Sequence, residues 1–461
     1  MNKQPSFSYI DLFSGCGGLS LGFERTGAQL ILAVERSPMA AETFRHNLIS
    51  PVKNDDDWKK YVSSPLAEQV SKGLLVKELQ YLLDEPSEVR KLAEQNVDVI
   101  AGGPPCQGFS LAGRRNPEDL RNQLPWQFLQ LVEKVSPKIV VIENVVGMRH
   151  KFSADQPEPV FDQLQQALRE TGAGYEVQAL EVNAMHYGAP QHRPRLMIIG
   201  LRKDIAESRN IVSSGRLWKS DFIDRINEPI PPMAPIPSVT AIDSPNLGDA
   251  LGDLLPMTIV QSSRSKKFVA EMKNSKLWGL RPLAAEVKNH IRRKHTEQAI
   301  ARFELYQALF DMGFDAKVIS KAAVLDEKSA KDYLFDLFKS GHYPAMTPTG
   351  KVLAENAKGL SELAWNLRTK KHSQRVLPLD KVARTVVTIG DDYVHPLEPR
   401  TFTVRELARF QGFPDSFEFR AKETTGGLNR RNEVPQYSQV GNAVSPFLAK
   451  SVGELISNLL K

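Results

Sequence analysis

SYIDLFSGCGGLSLGFE, residues 8–24, is the stretch that decides the fold of this chain. Residues 8–13 are a short apolar run that predicts a buried strand, and residues 14–18 are a glycine loop that opens a helix near Leu19. Glycines let the backbone approach a ligand closely, and the N-terminus of a helix attracts negative charge. The stretch therefore predicts a site for a nucleotide-like or carboxylate-bearing ligand.

A second predicted strand, residues 30–34, ends in the acid Glu35. Glu35 follows Gly15 by 20 residues, the spacing at which an acid at the end of the second strand accepts hydrogen bonds from both hydroxyls of a bound ribose. Ser20 stands where the third glycine of the dinucleotide fingerprint G-x-G-x-x-G would be, so a dinucleotide oxidoreductase is disfavoured.

Strands and helices alternate along the first 200 residues. Apolar runs predict strands over residues 73–76, 97–100, 138–142 and 196–200, and helices near residues 39–47 and 125–135. Ligands of an open parallel sheet bind outside the carboxyl ends of its strands. The pattern predicts an α/β fold in which the residues that follow the strands converge on one crevice.

AGGPPCQGFS, residues 101–110, follows the fourth predicted strand and contains the thiol of Cys106. Paired glycines and prolines hold the loop in one conformation, which favours a nucleophile over the buried small hydrophobe that a free cysteine often is. Glu143 follows the strand at residues 138–142, so we expect it to face Cys106 across the crevice. These two residues predict a catalytic site.

QHRPR, residues 191–195, leads into the strand at residues 196–200. Arg193 and Arg195 are two residues apart on an extended segment, which predicts that both side chains point to the same face. Such a pair favours phosphate or carboxylate, and a solvated charged edge is the common alternative.

Six motifs in a fixed order resemble the DNA (cytosine-5) methyltransferases of the bacterial type, and the resemblance covers residues 8–200 and 384–461. The motifs are DLFSGCGGLSLGFE, GGPPCQGFS, ENV, QHRPR, TVRELARFQGFPDSF and QVGNAVSP. The resemblance implies a Rossmann-like, S-adenosylmethionine-dependent methyltransferase domain with a second, smaller target recognition domain. It implies transfer of a methyl group to carbon 5 of a flipped-out cytosine in a specific double-stranded DNA sequence.

The same resemblance implies the site residues. Cys106 would be the nucleophile, Glu143 the carboxyl group on the N3 edge of the cytosine, and Arg193 and Arg195 ligands of the flipped nucleotide. No metal is implied. The cofactor S-adenosyl-L-methionine would lie across Phe13, Ser14, Gly15, Gly17, Gly18, Glu35, Arg36, Glu78, Leu79, Pro105, Asn442 and Ala443.

The domain organisation follows from the positions of the motifs. Residues 1–200 and 384–461 are predicted to form the catalytic domain, because the C-terminal motifs return to the first glycine loop. Residues 201–383 are predicted to form the target recognition domain, with a helical subregion near 290–340 of undetermined role and several basic clusters. A proline-rich segment, residues 228–237, is predicted to be a stiff linker or a loop, with a domain boundary there.

Composition is consistent with a DNA-binding enzyme without proving one. A net charge of +6 and a pI near 9.0 permit a polyanionic partner. Cys16 and Cys106 have no Cys or His partner at metal-ligand spacing, so neither a zinc site nor a disulfide scaffold is expected. No apolar run approaches about 18 residues, so export and membrane insertion are not expected and the chain is predicted to be cytoplasmic. The family resemblance adds the expectation of a monomer that is associated with the nucleoid.

Two alternatives remain open from the sequence. The same catalytic domain could methylate cytosine in RNA, although the large second domain favours duplex DNA. A catalytically silent, sequence-specific DNA-binding regulator is the alternative from another functional class, and the presence of Cys106, Glu143 and Arg193 argues against it. A restriction-modification or related phage-defence role, with a cognate restriction endonuclease, is the expected setting.

Overall fold

The computed structural model describes residues 4–105, 123–151, 158–226, 228–256, 260–284, 286–426 and 432–461. Cys106 lies outside the described residues. The strands are β1 (Ser8–Leu12), β2 (Gln29–Val34), β3 (Leu74–Leu75), β4 (Val99–Gly102), β5 (Ile139–Asn144), β6 (Tyr175–Asn183), β7 (Pro194–Arg202), β8 (Trp218–Lys219), β9 (Ala345–Met346), β10 (Val352–Ala354), β11 (Arg375–Val376) and β12 (Tyr393–Val394).

Helices occupy the connections between these strands. They are α1 (Gly18–Glu24), α2 (Pro38–Phe44), α3 (Asp55–Val62), α4 (Leu66–Ser71), α5 (Leu79–Leu83), α6 (Pro86–Glu94), α7 (Leu124–Val135), α8 (Val160–Glu170), α9 (Lys203–Ser208), α10 (Leu247–Leu251), α11 (Ser263–Lys273), α12 (Glu297–Asp311), α13 (Lys317–Ala322), α14 (Glu327–Phe338), α15 (Ala357–Asn366), α16 (Val404–Gln411), α17 (Gln436–Asn442) and α18 (Pro446–Leu460). Within the described ranges, no helix is both long and apolar enough to cross a membrane.

β1 to β8 form one sheet in the order β3-β2-β1-β4-β5-β7-β6-β8. The pairs from β3 to β5 are parallel, but β7 runs antiparallel to both β5 and β6. The prediction of a parallel sheet is therefore wrong at β7. Because β7 is reversed, its first residues lie beside the last residues of β5, and Leu196 pairs with Asn144.

Two elements differ from the sequence prediction. β6 was not predicted, because Glu176, Gln178 and Glu181 interrupt its apolar pattern, although it pairs with β7 along its whole length. The helix predicted over residues 39–47 begins at Pro38, where the Ser37 side chain caps it, and changes to a π-helical turn over Arg45–Ile49. Packing against neighbours decides both features, and hydrophobic period alone does not reveal them.

Both faces of the sheet are covered, as apolar strands of a largely parallel sheet require. Helices α5 to α8 cover one face, and α1 and α18 cover the other. α18 packs closely on α1 because Gly22 and Gly453 have no side chains: a Cβ at Gly22 would lie 2.4 Å from the Ala449 Cβ. The C-terminal segment thus returns to the first glycine loop, as expected.

The proline-rich segment, predicted to be a stiff linker or a loop, is a loop that packs on the sheet. Met233 and Ala234 are buried against the same face of the sheet as α18, and Tyr187 donates a hydrogen bond from its hydroxyl to the Pro235 carbonyl at 3.1 Å. Prolines lack an N–H group, so this segment can pack on the domain without leaving buried donors unpaired. Composition indicates local stiffness, and only the packing shows on which surface this loop lies.

α10 and α11 pack against α16 rather than in a separate unit. α16 begins with a capping box, in which the Thr403 hydroxyl accepts from the Glu406 N–H and the Glu406 carboxylate accepts from the Thr403 N–H. On its buried face Arg409 pairs with Asp415 and Asp253. α16 is thus tied to both the α10–α11 region and the loop that follows α16.

A separate apolar core begins only after these elements. It joins α12, α13, α14 and α15 with the short strands β9 to β12. Residues 218–278 share the cores of the sheet and of α16 instead. The assignment of residues 201–383 to target recognition therefore remains a prediction about function, while the packing places a distinct helical unit at about residues 297–394.

Candidate active site

The loop between β1 and α1 has an unusual backbone. Phe13, Gly15 and Gly17 all have positive φ angles, of 57°, 56° and 98°. A positive φ is costly for phenylalanine, and such strain is concentrated at functional sites. The loop is tied to β2 by a hydrogen bond from the Ser14 N–H to the Val34 carbonyl at 3.2 Å. The Ser14 hydroxyl is buried and has no hydrogen-bond partner among the described residues.

The glycines of this loop serve different purposes. A Cβ at Gly15 would meet nothing within 4 Å, so this position faces open space. A Cβ at Gly17 would lie 2.6 Å from Leu48, and one at Gly18 would lie 2.2 Å from the Val444 carbonyl. Gly15 therefore leaves room for a ligand, whereas Gly17 and Gly18 let the π-helical turn and the C-terminal segment pack against the loop.

Glu35 closes the loop from the end of β2. Its carboxylate accepts one hydrogen bond from the Gly15 N–H at 2.9 Å and another from the Ser37 N–H at 2.7 Å. Burial raises the pKa of Glu35 above its ordinary value, and the two backbone hydrogen bonds counteract that shift. The acid is thus oriented by the backbone, and each oxygen keeps acceptor capacity for a further donor.

Asp11 is a member of this site that the sequence prediction missed. It is buried in β1 and accepts a hydrogen bond from the Ser20 hydroxyl at 2.6 Å. Burial raises its pKa to about 7, and the negative charge of Glu35 raises it as well. A carboxylate inside an otherwise apolar strand was the signal that could have identified it.

Arg36 and Glu78 come together at the edge of the loop. The Arg36 guanidinium lies 3.4 Å from the Glu78 carboxylate, and both side chains are more than half exposed. Leu79 is buried at the start of α5. The structure therefore brings the predicted residues after β2 and β3 to one edge, with Leu79 as part of the core.

The predicted catalytic acid lies beside the chain that leads to Cys106. A Cβ at Gly103 would lie only 3.0 Å from the Glu143 Oε2, so a side chain at residue 103 would crowd the carboxylate. The Asn144 amide donates to the Pro104 carbonyl at 3.0 Å, which fixes the loop next to the end of β5. Pro105 is half-buried and is the last described residue before Cys106.

Glu143 is paired with Arg195. The Arg195 Nε lies 2.8 Å from the Glu143 Oε1, and the two side chains are 11% and 12% exposed. The pair forms because the reversed strand β7 starts next to the end of β5. A charge-assisted hydrogen bond of this kind orients the carboxylate while leaving Oε2 toward Gly103.

Arg193 lies in a different environment from Arg195. Its side chain is 1% exposed, and it donates to the Val386, Gly441 and Ala443 carbonyls at 3.2, 2.8 and 2.9 Å. Burial lowers the pKa of Arg193, and the charge of Arg195 lowers it further. Arg193 is thus enclosed by two segments that are distant in sequence, whereas Arg195 is partly exposed, and the expectation that both side chains point to the same face stays a prediction.

The C-terminal motif meets the glycine loop from the other side. α17 ends at Asn442, which is exposed, and Ala443 is buried. The Cys16 thiol donates to the Gln439 carbonyl at 3.6 Å, and burial raises its pKa to about 12. A thiol with so high a pKa stays protonated, so Cys16 belongs to the packing of the loop and is not a nucleophile.

A sheet of this order, with a glycine loop after its first strand and an oriented acid after its second, defines a class of α/β enzymes that bind a nucleoside-containing cofactor. Glu143 and Arg195 form an ion pair at adjoining strand ends of the same sheet. The chain belongs to the C-5 cytosine-specific DNA methylase family, whose sequence profile matches residues 7–458. The predictions of family and of fold class are thereby confirmed.

Known relatives are similar along nearly the whole chain. The type II methyltransferase M.DdeI of Desulfomicrobium norvegicum is 30% identical over 448 residues, covering 97% of this chain and 88% of the relative. The type II methyltransferase M.AgeI of Thalassovita gelatinovora is 27% identical over 477 residues, covering 97% and 98%. A prophage-encoded E. coli protein described as a DNA modification methyltransferase has a solved structure with the same fold, with a TM-score of 0.52, 22% identity and coverage of 98% and 99%.

Proposed function

We propose that this enzyme methylates carbon 5 of a flipped-out cytosine in a specific double-stranded DNA sequence, through a covalent bond between Cys106 and cytosine C6. The observation that carries this proposal is the Glu143–Arg195 pair beside Gly103, three residues before Cys106. A carboxyl group held in this way can reach the N3 edge of a base that enters the crevice. The chemistry requires both a thiol and such a proton donor.

The glycine loop fits S-adenosyl-L-methionine. The buried Ser14 hydroxyl without a partner, the open space at Gly15 and the oriented carboxylate of Glu35 match a ligand with polar groups and a ribose. Bound there, the cofactor would supply an electrophilic methyl group to cytosine C5. The residues proposed to hold it are Phe13, Ser14, Gly15, Gly17, Gly18, Glu35, Arg36, Glu78, Leu79, Pro105, Asn442 and Ala443.

The residues of the chain make cytosine C5 nucleophilic. The Cys106 thiolate adds to C6 while the Glu143 carboxyl group, held by Arg195, passes a proton from solvent to N3, so the electrons of the C5–C6 double bond become available at C5. After methylation, loss of the C5 proton to a solvent base returns the electron pair to the ring, and the C6–sulfur bond breaks. N3 then returns its proton to Glu143, and Cys106 leaves as a thiolate.

The two arginines are proposed to have different roles. Arg195 orients Glu143 and, being partly exposed, can contact the flipped nucleotide. Arg193 is proposed as a positioning residue, because its guanidinium joins the chain at β7 to the Val386 segment and to the C-terminal motif. It would hold the base site and the cofactor site at a constant separation.

The partner is proposed to be duplex DNA within a restriction-modification or related defence system. The relatives with type II names and the basic balance of the chain support this setting. Base flipping costs roughly a few kcal/mol, which contacts with the DNA backbone must offset. A monomer that acts at the nucleoid, with a cognate endonuclease encoded nearby, is the proposed arrangement.

A duplex with 5-fluorocytosine at the target tests the function. Fluorine at C5 cannot leave as a proton does, so the bond to Cys106 should persist through denaturing electrophoresis when S-adenosyl-L-methionine is present. Cys106→Ser should form no such complex, and Cys16→Ser is the matched control that should still form it. Bisulfite sequencing of DNA from a host that expresses the protein would identify the target site.

Three outcomes would contradict the proposal in different ways. A covalent complex in Cys106→Ser would exclude Cys106 as the nucleophile. Methyl transfer to tRNA with none to DNA would show the alternative substrate. Sequence-specific DNA binding without cofactor binding would favour the catalytically silent regulator.

A further inference from the structure

The helical unit contains a helix-turn-helix followed by a β-hairpin. α13 is joined to the 12-residue helix α14 by the four residues 323–326, and the strands β9 and β10 follow α14. Asp326 caps α14 by accepting a hydrogen bond from the Ser329 N–H at 3.0 Å. This order of elements, with α12 preceding it, is that of a winged helix-turn-helix, in which the second helix of the pair enters the DNA major groove.

Apolar residues fix the two helices on one core. Residues Ala330, Leu334 and Phe338 recur every four positions along α14 and are fully buried. Ile319 and Ala322 of α13 are buried in the same core. One face of α14 therefore packs against the core, and the opposite face is exposed to solvent.

The outward face of α14 has the side chains that a reading helix needs. Lys328, Ser329 and Asp332 are exposed near its N-terminal end. Serine and lysine donate to base edges, and aspartate accepts from the amino group of cytosine N4. Phe335, on the next turn, is 38% exposed and could contact a thymine methyl group.

Cations flank this face where the DNA backbone would pass. Lys317 and Lys321 are exposed on α13, and neither they nor Lys328 have a carboxylate partner within the part of the chain that the structure describes. Lys331 of α14 pairs with Glu327, and Lys339, just after α14, pairs with Asp336. The lysines without an acidic partner thus lie on α13 and at the start of α14, beside the exposed acids Asp326 and Asp332.

Hydrogen bonds and an ion pair fix the helical unit relative to the catalytic body. Gln307 of α12 donates to the His395 carbonyl at 2.8 Å, and Arg293 pairs with Asp391 at 2.5 Å. His395 in turn packs against Phe402, just before α16. A reading helix carried on this unit keeps a constant position relative to the site of chemistry.

We propose that α14 is a base-reading helix for duplex DNA, with Lys317 and Lys321 on the phosphates and the hairpin tip at residues 348–350 against the adjoining backbone. This inference rests on the proposed action on duplex DNA and assigns base reading to one helix. Among the side chains of α14, Asp332 is the specificity-determining residue, because it is an exposed acceptor with no hydrogen-bond or ion-pair partner among the described residues.

The first test measures affinity for a duplex with the methylated site as a function of salt, with purified full-length protein. Lys317→Ala/Lys321→Ala should weaken binding about tenfold and reduce the slope of log K against log salt by about two, because two phosphate contacts are lost. Lys358→Ala, which removes an equally exposed lysine from α15, is the matched control and should bind as the wild type does. An unchanged affinity and slope in the double variant would overturn the proposal.

The second test reads base preference. Asp332→Ala should broaden methylation at one position of a library with randomised bases in and around the site, read by bisulfite sequencing, since the accepting group is removed. An unchanged preference would overturn the role of α14 as a reader.

The covalent complex with 5-fluorocytosine, measured at saturating DNA, distinguishes a failure of this proposal from a failure of the proposed function. Every variant should still form it if only recognition is altered. Its failure in the wild type would refute the chemistry, whatever the helix does.

Discussion

Replacing Arg193 with methionine tests whether this residue braces two segments or binds the nucleotide. Methionine fills a comparable volume but removes the donors to the Val386 and Gly441 carbonyls and the shorter of two hydrogen bonds to the Ala443 carbonyl, which keeps its 3.4 Å bond from the Gln411 amide. A buried acceptor left without a donor costs about 1–3 kcal/mol. Part of this cost is offset, because the buried charge and its repulsion by Arg195 disappear together. The expected net loss is roughly 3 kcal/mol of unfolding free energy.

Urea unfolding followed by tryptophan fluorescence measures that loss, and calorimetry measures the affinity for S-adenosyl-L-methionine. We expect the cofactor affinity of Arg193→Met to fall about tenfold, equivalent to about 1.4 kcal/mol, because the carbonyls released at Gly441 and Ala443 belong to the segment that packs on the glycine loop. Arg193→Lys should recover part of both losses, since it restores a donor.

Arg195→Met is the matched control. It should retain the cofactor affinity and lose methyl transfer, because its partner is Glu143 and not the C-terminal segment. Wild-type stability and cofactor affinity in Arg193→Met, together with a loss confined to DNA binding, would refute the bracing role and favour direct contact with the nucleotide.

Three further predictions concern the cofactor loop. Burial raises the pKa of Asp11 from 3.8 to about 7, so ionisation of this carboxyl group opposes folding as the pH rises between these values. The free energy of unfolding of Asp11→Asn should therefore increase relative to that of the wild type from pH 4 to pH 8, by at most roughly 4 kcal/mol. A difference in urea unfolding that does not depend on pH would contradict this. Gly18→Ala should lower the free energy of unfolding by about 1–3 kcal/mol and weaken cofactor binding, because the new Cβ would collide with the Val444 carbonyl. Gly426→Ala is the control, since a Cβ there would meet nothing within 4 Å, and it should change neither property. Thermal unfolding measures the stability, and calorimetry measures the cofactor affinity. Glu35→Gln should weaken the binding of S-adenosyl-L-methionine in calorimetry and leave the affinity for DNA, measured without cofactor, unchanged. The reason is that an amide offers only one acceptor oxygen to the Gly15 N–H, the Ser37 N–H and the ribose. Undiminished cofactor affinity would exclude the ribose contact.

The parts of the fold that depend on neighbouring residues could be predicted from the sequence. β1, the glycine loop and β2 with Glu35 lie within 28 residues, and their hydrophobic runs and turn residues are sufficient to identify them. β6 and the π-helical turn were not identified, because pairing with β7 and packing against neighbouring elements outweigh their local patterns.

The sequence by itself determined which chemical groups are present and, from their motifs, which family the chain belongs to. Only the tertiary structure decided how those groups are arranged. The reversal of β7 brings Arg195 to Glu143, and the return of the C-terminal segment buries Arg193 under carbonyls some 250 residues away. Hydrophobic period and turn chemistry act over a few residues, whereas these contacts depend on strand direction and close packing across the whole chain.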